Sequence, residues 1–102
     1  MEVAGTAAAG PDGSILHPDD VEAQAREALR TIGEALKEAG ASFSDVVRTR
    51  IYLADASLWE AAGRAHGEVF ADIRPATTAV TVNGFVDPEI LVEIEATAIV
   101  AD

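Results

Sequence analysis

Apolar residues recur at three- and four-residue spacing from Val21 through Ala25, Leu29, Ile32 and Leu36 to Ala39, the period of a helix that buries one face. Pro18 opens this segment, Asp19, Asp20 and Glu22 lie where the helix dipole is positive, and Gly40 supplies a C-terminal stop, which together predict a helix from Pro18 to Gly40. Glu22, Arg26, Glu27, Arg30, Glu34, Lys37 and Glu38 cover its other side as a solvated face. The period then drops to two. Val47, Thr49, Ile51 and Leu53 alternate with Arg48, Arg50 and Tyr52, so Val46 to Leu53 is a strand covered on one face. A second helix is predicted from Ser57, its N-cap, to Phe70 or Ile73, turning Leu58, Ala62, Ala65, Val69 and Ile73 toward the sheet until Arg74-Pro75 stops it.

Two more strands are predicted, Thr77 to Asn83 and Ile90 to Val100, joined by a loop with Gly84, Asp87 and Pro88. In the first, Thr78, Val80 and Val82 alternate with Thr77, Ala79 and Thr81. In the second, Val92, Ile94, Ala96 and Ala98 alternate with Leu91, Glu93, Glu95 and Thr97. At the other end, Met1 to Thr6 reads as the end of a strand, followed by the turn-rich Gly10-Pro11-Asp12-Gly13 and a short extended Ser14 to Leu16. With no repeat and no linker, residues 1–102 read as a single α+β domain, two helices on one face of a mostly antiparallel sheet. The opposite face carries Arg48, Arg50, Glu93 and Glu95, and such a charged face in an alanine-rich chain suggests a surface between subunits where charges pair.

Composition narrows the partners. Seven Lys+Arg stand against 18 Asp+Glu, a net charge of −11, which repels phosphate backbones and anionic bilayers. Neither nucleic acid nor membrane is expected as a partner. No cysteine is present, so disulfides and thiolate nucleophiles are excluded, and His17 and His66 lack the close spacing of metal ligands. No apolar run approaches the roughly 18 residues of a membrane span, and Met1 to Gly13 lack a basic-then-apolar leader, which together predict a cytoplasmic protein. Much of the 49% hydrophobic content is alanine, which buries little area per residue, so an oligomer is expected to supply the rest.

Asp45-Val46-Val47-Arg48-Thr49-Arg50-Ile51-Tyr52-Leu53-Ala54-Asp55, a helix ending in Val69-Phe70, Arg74-Pro75-Ala76 and finally Leu91-Val92-Glu93-Ile94-Glu95-Ala96 together resemble the Rid/YjgF family. The helix beginning Val21-Glu22-Ala23 and the segment Ala4-Gly5-Thr6 resemble its first half, so the likeness spans almost the whole chain. The resemblance implies a chorismate-mutase-like (ferredoxin-like) fold and a homotrimer whose sheets form a central barrel, with a small-molecule cleft at each subunit interface. It also implies hydrolysis of enamines and imines to 2-oxo acids and ammonia, a deaminase-type reaction that needs no cofactor. In the family's best-known branch, which carries that activity, an arginine two residues after the proline grips the substrate carboxylate and a glutamate on the last strand handles water.

Carried over by motif, the glutamate is Glu93 and the cleft glycine of the short strand is Gly5, while Thr77 stands where the arginine is expected, Ala79 takes a small thiol position, and Gly63 takes a cleft asparagine position. The family's first strand, with its cleft aromatic, has no counterpart before Met1 in this sequence. Standard deaminase activity is accordingly expected to be weak or absent. The leading expectation is a trimer binding or hydrolysing a small enamine, imine or carbonyl metabolite, with Glu93 catalytic and Gly5, Thr77, Thr78, Arg50, Gly63 and His66 as binding residues. The alternative is a non-catalytic small-molecule-binding or assembly protein on the same scaffold. Strand alternation is read as placing Arg48, Arg50 and Tyr52 on one face with Thr77, Ala79 and Glu93, so that Arg50 reaches into the space left by small residues and replaces the missing clamp. Against this, and favoured for Arg50, is pairing with Glu95 or with a carboxylate of another subunit, and Glu93 is read as well as a partner for Arg48 or Arg50. His66 is expected at the cleft edge, and Trp59 in packing.

Overall fold

In a computed structural model, residues 1–101 are described, and their elements follow the order β1 (Glu2–Thr6), α1 (Val21–Glu38), β2 (Val46–Leu53), α2 (Trp59–Phe70), β3 (Ala76–Thr81) and β4 (Val92–Ala98). The strands form one sheet in the order β1-β4-β2-β3. Its β1–β4 and β4–β2 pairs are antiparallel and the β2–β3 pair is parallel, because α2 carries the chain back across the sheet between those two strands. Both helices lie on one face. The core between them and the sheet contains Ala25, Ala28, Leu29, Ile32 and Leu36 of α1, Ala62, Ala65 and Phe70 of α2, and Ile51, Leu53, Val92, Ile94, Ala96 and Ala98 of the two central strands.

The helix ends depart from the predicted ones for identifiable reasons. Asp20, in an extended conformation, accepts a hydrogen bond from the Ala23 amide and starts α1 three residues after Pro18. Gly40 does stop the helix, with a φ of +83° that a side chain would resist, and Ala39 is left exposed just before it. Asp55, not Ser57, opens the second helical segment. Its carboxylate takes the Ser57 amide and caps a 3₁₀ turn, Ala56–Leu58, that leads into α2. At the far end Arg74 adopts a φ of +57°, donating its amide to the Phe70 carbonyl and turning the chain into Pro75.

Ser14 to Leu16 joins no strand. Only an isolated bridge between Ala9 and Ile15 forms there. The inward residues of β2 also shift: Val46 is buried and Val47 is 44% exposed, the reverse of simple alternation, because a bulge between Val46 and Arg48 inserts one extra residue against β4. Gln24 is fully buried, and its side chain is fully satisfied. Nε2 donates to the carbonyls of His17 at 3.1 Å and Glu89 at 2.9 Å, while Oε1 accepts from the Leu91 amide at 2.8 Å. This clasp ties α1 to the loop before it and to the loop before β4. Among the described residues no helix is long and apolar enough to cross a membrane.

Candidate functional site

Two surfaces carry the polar chemistry, one on each side of the sheet. On the face without helices, β4 presents Glu93, Glu95 and Thr97, and β2 presents Arg48, Arg50 and Tyr52. Tyr52 donates to Glu95 Oε1 at 2.8 Å, and Arg50 Nη1 lies 3.7 Å from the same oxygen. The hydrogen bond to Glu95, and then desolvation, raise the Tyr52 hydroxyl above its usual value near 10, so it remains a neutral donor. Arg48 Nη2 donates to Thr78 Oγ1 at 2.7 Å. Glu95 is therefore the carboxylate that Arg50 pairs with, and Glu93 pairs with neither arginine.

Glu93 stands apart. Among the described residues its carboxylate takes no hydrogen bond and no ion pair, and Oε1 lies over the backbone of Gly5, 2.8 Å from where a Cβ on that residue would sit. Gly5 and Glu93, far apart in sequence, are brought together by the antiparallel pairing of β1 with β4.

The other surface is a groove of about 460 Å³ along the edge strand β3, on the helix side, lined by Leu53, Ala56, Trp59, Thr77, Ala79, Val80 and Thr81. In the parallel β2–β3 register Thr49 lies beside Thr77, Ile51 beside Ala79 and Leu53 beside Thr81, so Thr77 and Ala79 share the face of the buried residues. Thr78 and Val80, beside Arg50 and Tyr52, take the open face. This corrects the expected placement: Arg50 and Thr77 lie on opposite faces of the sheet. The strand pattern allowed both assignments, since every residue of β3 is exposed and neither side is marked by burial.

A file of hydrogen bonds runs inward from Thr77. Its hydroxyl donates to the Pro75 carbonyl at 3.1 Å and lies 2.8 Å from Thr49 Oγ1, which lies 2.8 Å from His66 Nε2. Thr49 is fully buried. Burial lowers the His66 pKa from its usual value near 6.5, and its ring tilts against Phe70 with centroids 4.7 Å apart. His66 therefore belongs beneath the groove, reached through Thr49, and does not line it. Gly63 does not line it either. A Cβ there would meet the Trp59 ring at 3.7 Å, so Gly63 lies under the indole, and Trp59, 46% exposed, forms the groove wall that packing alone was expected to use. The aromatic was legible as the single tryptophan of a chain poor in aromatics.

A four-stranded sheet with two helices on one face, a charged open face and a neutral groove on its parallel edge strand defines a small α+β protein of the YjgF/Rid type. Comparison with known proteins agrees. The family model described as Endoribonuclease L-PSP matches residues 1–100. A Streptomyces coelicolor protein is 42% identical over 96 residues, 94% of this chain and 71% of its own, and a RutC family protein of Pyrococcus abyssi is 32% identical, with 94% and 75% covered. The crystal structure of the Mycobacterium tuberculosis member of the YjgF/YER057c/UK114 family shares 48% identity with a TM-score of 0.86, covering 97% of this chain and 77% of that one. The chain belongs to the Rid/YjgF family.

Proposed function

We propose that this protein binds small enamine, imine or carbonyl metabolites in clefts between the subunits of a homotrimer, and that Glu93 acts there as the proton-handling group. The observation that carries the reading is the unpartnered Glu93 carboxylate seated on Gly5. A group meant for ion pairing on this face had Arg48 and Arg50 within the same sheet, yet Glu95 and Thr78 take those arginines. A carboxylate left free of internal partners retains its lone pairs for a ligand or a water. The trimer is supported by the open face itself, where Arg48, Arg50, Tyr52, Glu93 and Glu95 are all half-buried with no layer of this chain above them, and by β3, an edge strand exposed at every residue. In such an assembly the groove of one subunit would lie at the rim of its neighbour's sheet, with Glu93 supplied from across the interface.

Thr77 limits the reaction. A hydroxyl gives a substrate carboxylate one neutral hydrogen bond where a guanidinium gives two charge-assisted ones. That favours slow turnover of amino-acid-derived imines, and it is the observation behind a second reading, a ligand-binding member of the family without catalysis. The endoribonuclease of the family's description suits this chain poorly, since a net charge of −11 opposes RNA and neither surface has a basic stripe with stacking aromatics.

The test is hydrolysis of 2-aminoacrylate generated in situ, with the oligomeric mass measured on the same sample. Slow acceleration that disappears in Glu93→Gln, in a particle three times the 10.6 kDa chain mass, is the expected result. Acceleration unchanged in Glu93→Gln would remove Glu93 from the chemistry, and a mass of one chain would remove the interface cleft.

A further inference from the structure

The groove on β3 is built without charge. Its lining consists of Leu53, Ala56, Ala79, Val80, the Trp59 indole and the hydroxyls of Thr77 and Thr81. A carboxylate entering it would lose hydration and gain no cation among the described residues, whereas an uncharged carbonyl would lose far less. The single polar feature that reaches from this groove into the core is Thr77, and a file of hydrogen bonds runs behind it. With the Thr77 hydroxyl hydrogen committed to the Pro75 carbonyl, the contact between the two threonines requires Thr49 to donate to Thr77, and His66 Nε2–H then donates to Thr49. Neutral His66 as the Nε2–H tautomer meets every step.

This arrangement holds the Thr77 oxygen between two partners, Pro75 and Thr49, and leaves its hydrogen as the movable element. The bond to Pro75, at 3.1 Å, is the longest of the file and lies at the exposed end. A ligand oxygen above Trp59 can take that hydrogen by rotation of one hydroxyl, while the donation from Thr49 stays in place. An edge-strand threonine without such support would be free to adopt any of its rotamers and would present no defined donor.

We propose that the groove is a binding site for small uncharged carbonyl compounds of the carboxamide type, held by the Thr77 hydroxyl and stacked on Trp59, with Thr49 and His66 as positioning residues. This rests on the reading of the protein as a small-molecule-binding Rid/YjgF member and names the preferred ligand class of that cleft: the neutral counterparts of the 2-oxo and imino acids, ahead of the acids, which bind more weakly and turn over slowly.

Trp59 is the only tryptophan of the chain, so its fluorescence reports occupancy of the groove directly. The matched probes are 2-oxobutanamide and 2-oxobutanoate, titrated into the full-length protein. The amide is expected to produce a saturable change with at least tenfold tighter binding than the acid. Thr77→Val, at an exposed position of the edge strand, should bring that ratio to near one, and Thr77→Ser should restore it. Thr49→Val, isosteric in the core, should also lower the ratio although Thr49 cannot touch the ligand, and a purely structural role for Thr49 would leave the ratio unmoved. Thr77→Arg should invert the preference toward the acid. If the acid binds wild-type protein as tightly as the amide, or Thr77→Val leaves the ratio intact, the ligand class is wrong while the cleft stands. If neither probe gives a saturable change in Trp59, both this inference and the cleft reading fail.

Discussion

Glu93 rests its carboxylate on the bare backbone of Gly5, at a distance where a single added methyl would stand 2.8 Å from Oε1. No real contact between a Cβ and a carboxylate oxygen is that short, so the glycine determines where the acid can lie. The obstacle is the tip of a flexible side chain, which can rotate away, and Gly5 itself is exposed. Gly5 therefore sets where the Glu93 carboxylate lies, with little bearing on the fold.

Gly5→Ala is expected to keep the melting temperature within a few degrees of wild type, a change of less than about 1 kcal/mol, and to lower any Glu93-dependent turnover about tenfold. A crystal structure of the variant should show the Glu93 carboxylate rotated off β1. Unchanged turnover with a displaced carboxylate would separate the position of Glu93 from its function.

Gln24→Leu fills the same volume and removes both ends of the clasp. The carbonyls of His17 and Glu89 and the amide of Leu91 lose their side-chain partner at a fully buried position, at a cost of roughly 1–3 kcal/mol for a group left unsatisfied. Urea titration is expected to show a loss of about 2–4 kcal/mol with an unchanged m-value, because the loops before α1 and before β4 are both released.

His66 makes stability depend on pH in a known direction. Its pKa is lowered in the fold by burial, so the unfolded chain binds a proton more readily than the folded one. The stabilisation is complete above the unfolded value near 6.5 and is lost progressively as pH falls from there through the lower folded-state value. Thermal melts between pH 7.5 and 5 should show this decline. His66→Gln, which keeps a donor toward Thr49, should flatten it, and an unaltered slope in that variant would assign the pH dependence to other groups.

Beyond its chain neighbours and the backbone of its own helix turns, Gly67 has no described heavy atom within 4 Å of where a Cβ would sit, although it lies inside α2. Alanine there gains helix propensity with no clash, and Gly67→Ala is expected to stabilise by about 0.5–1 kcal/mol. Chemical denaturation measures it. A loss of stability or of oligomer in this variant would place another subunit against that part of α2.

The patterns that depend on neighbours along the chain were legible without a structure. The 3.6-residue period of α1, the alternation of Arg48, Arg50 and Tyr52 against Thr49, Ile51 and Leu53, and that of Glu93 and Glu95 against Val92, Ile94 and Ala96 each follow from one element having a buried and an exposed side. The motif that points to Glu93 and Gly5 was equally visible, because residue identity carries it. What only tertiary structure decided are relations between elements. The face of Thr77 depends on the register of β3 against β2, and a strand exposed on both sides carries no burial signal of its own. The exchange of Val46 for Val47 in the core comes from a bulge against β4, which no periodicity in β2 announces. Gln24 looks like any polar helix residue until the distant loop before β4 closes over it, and His66 meets Thr49 because α2 packs across the sheet. A hydrogen-bonded polar group in a core is defined by its partners, and those partners come from elements far apart in sequence.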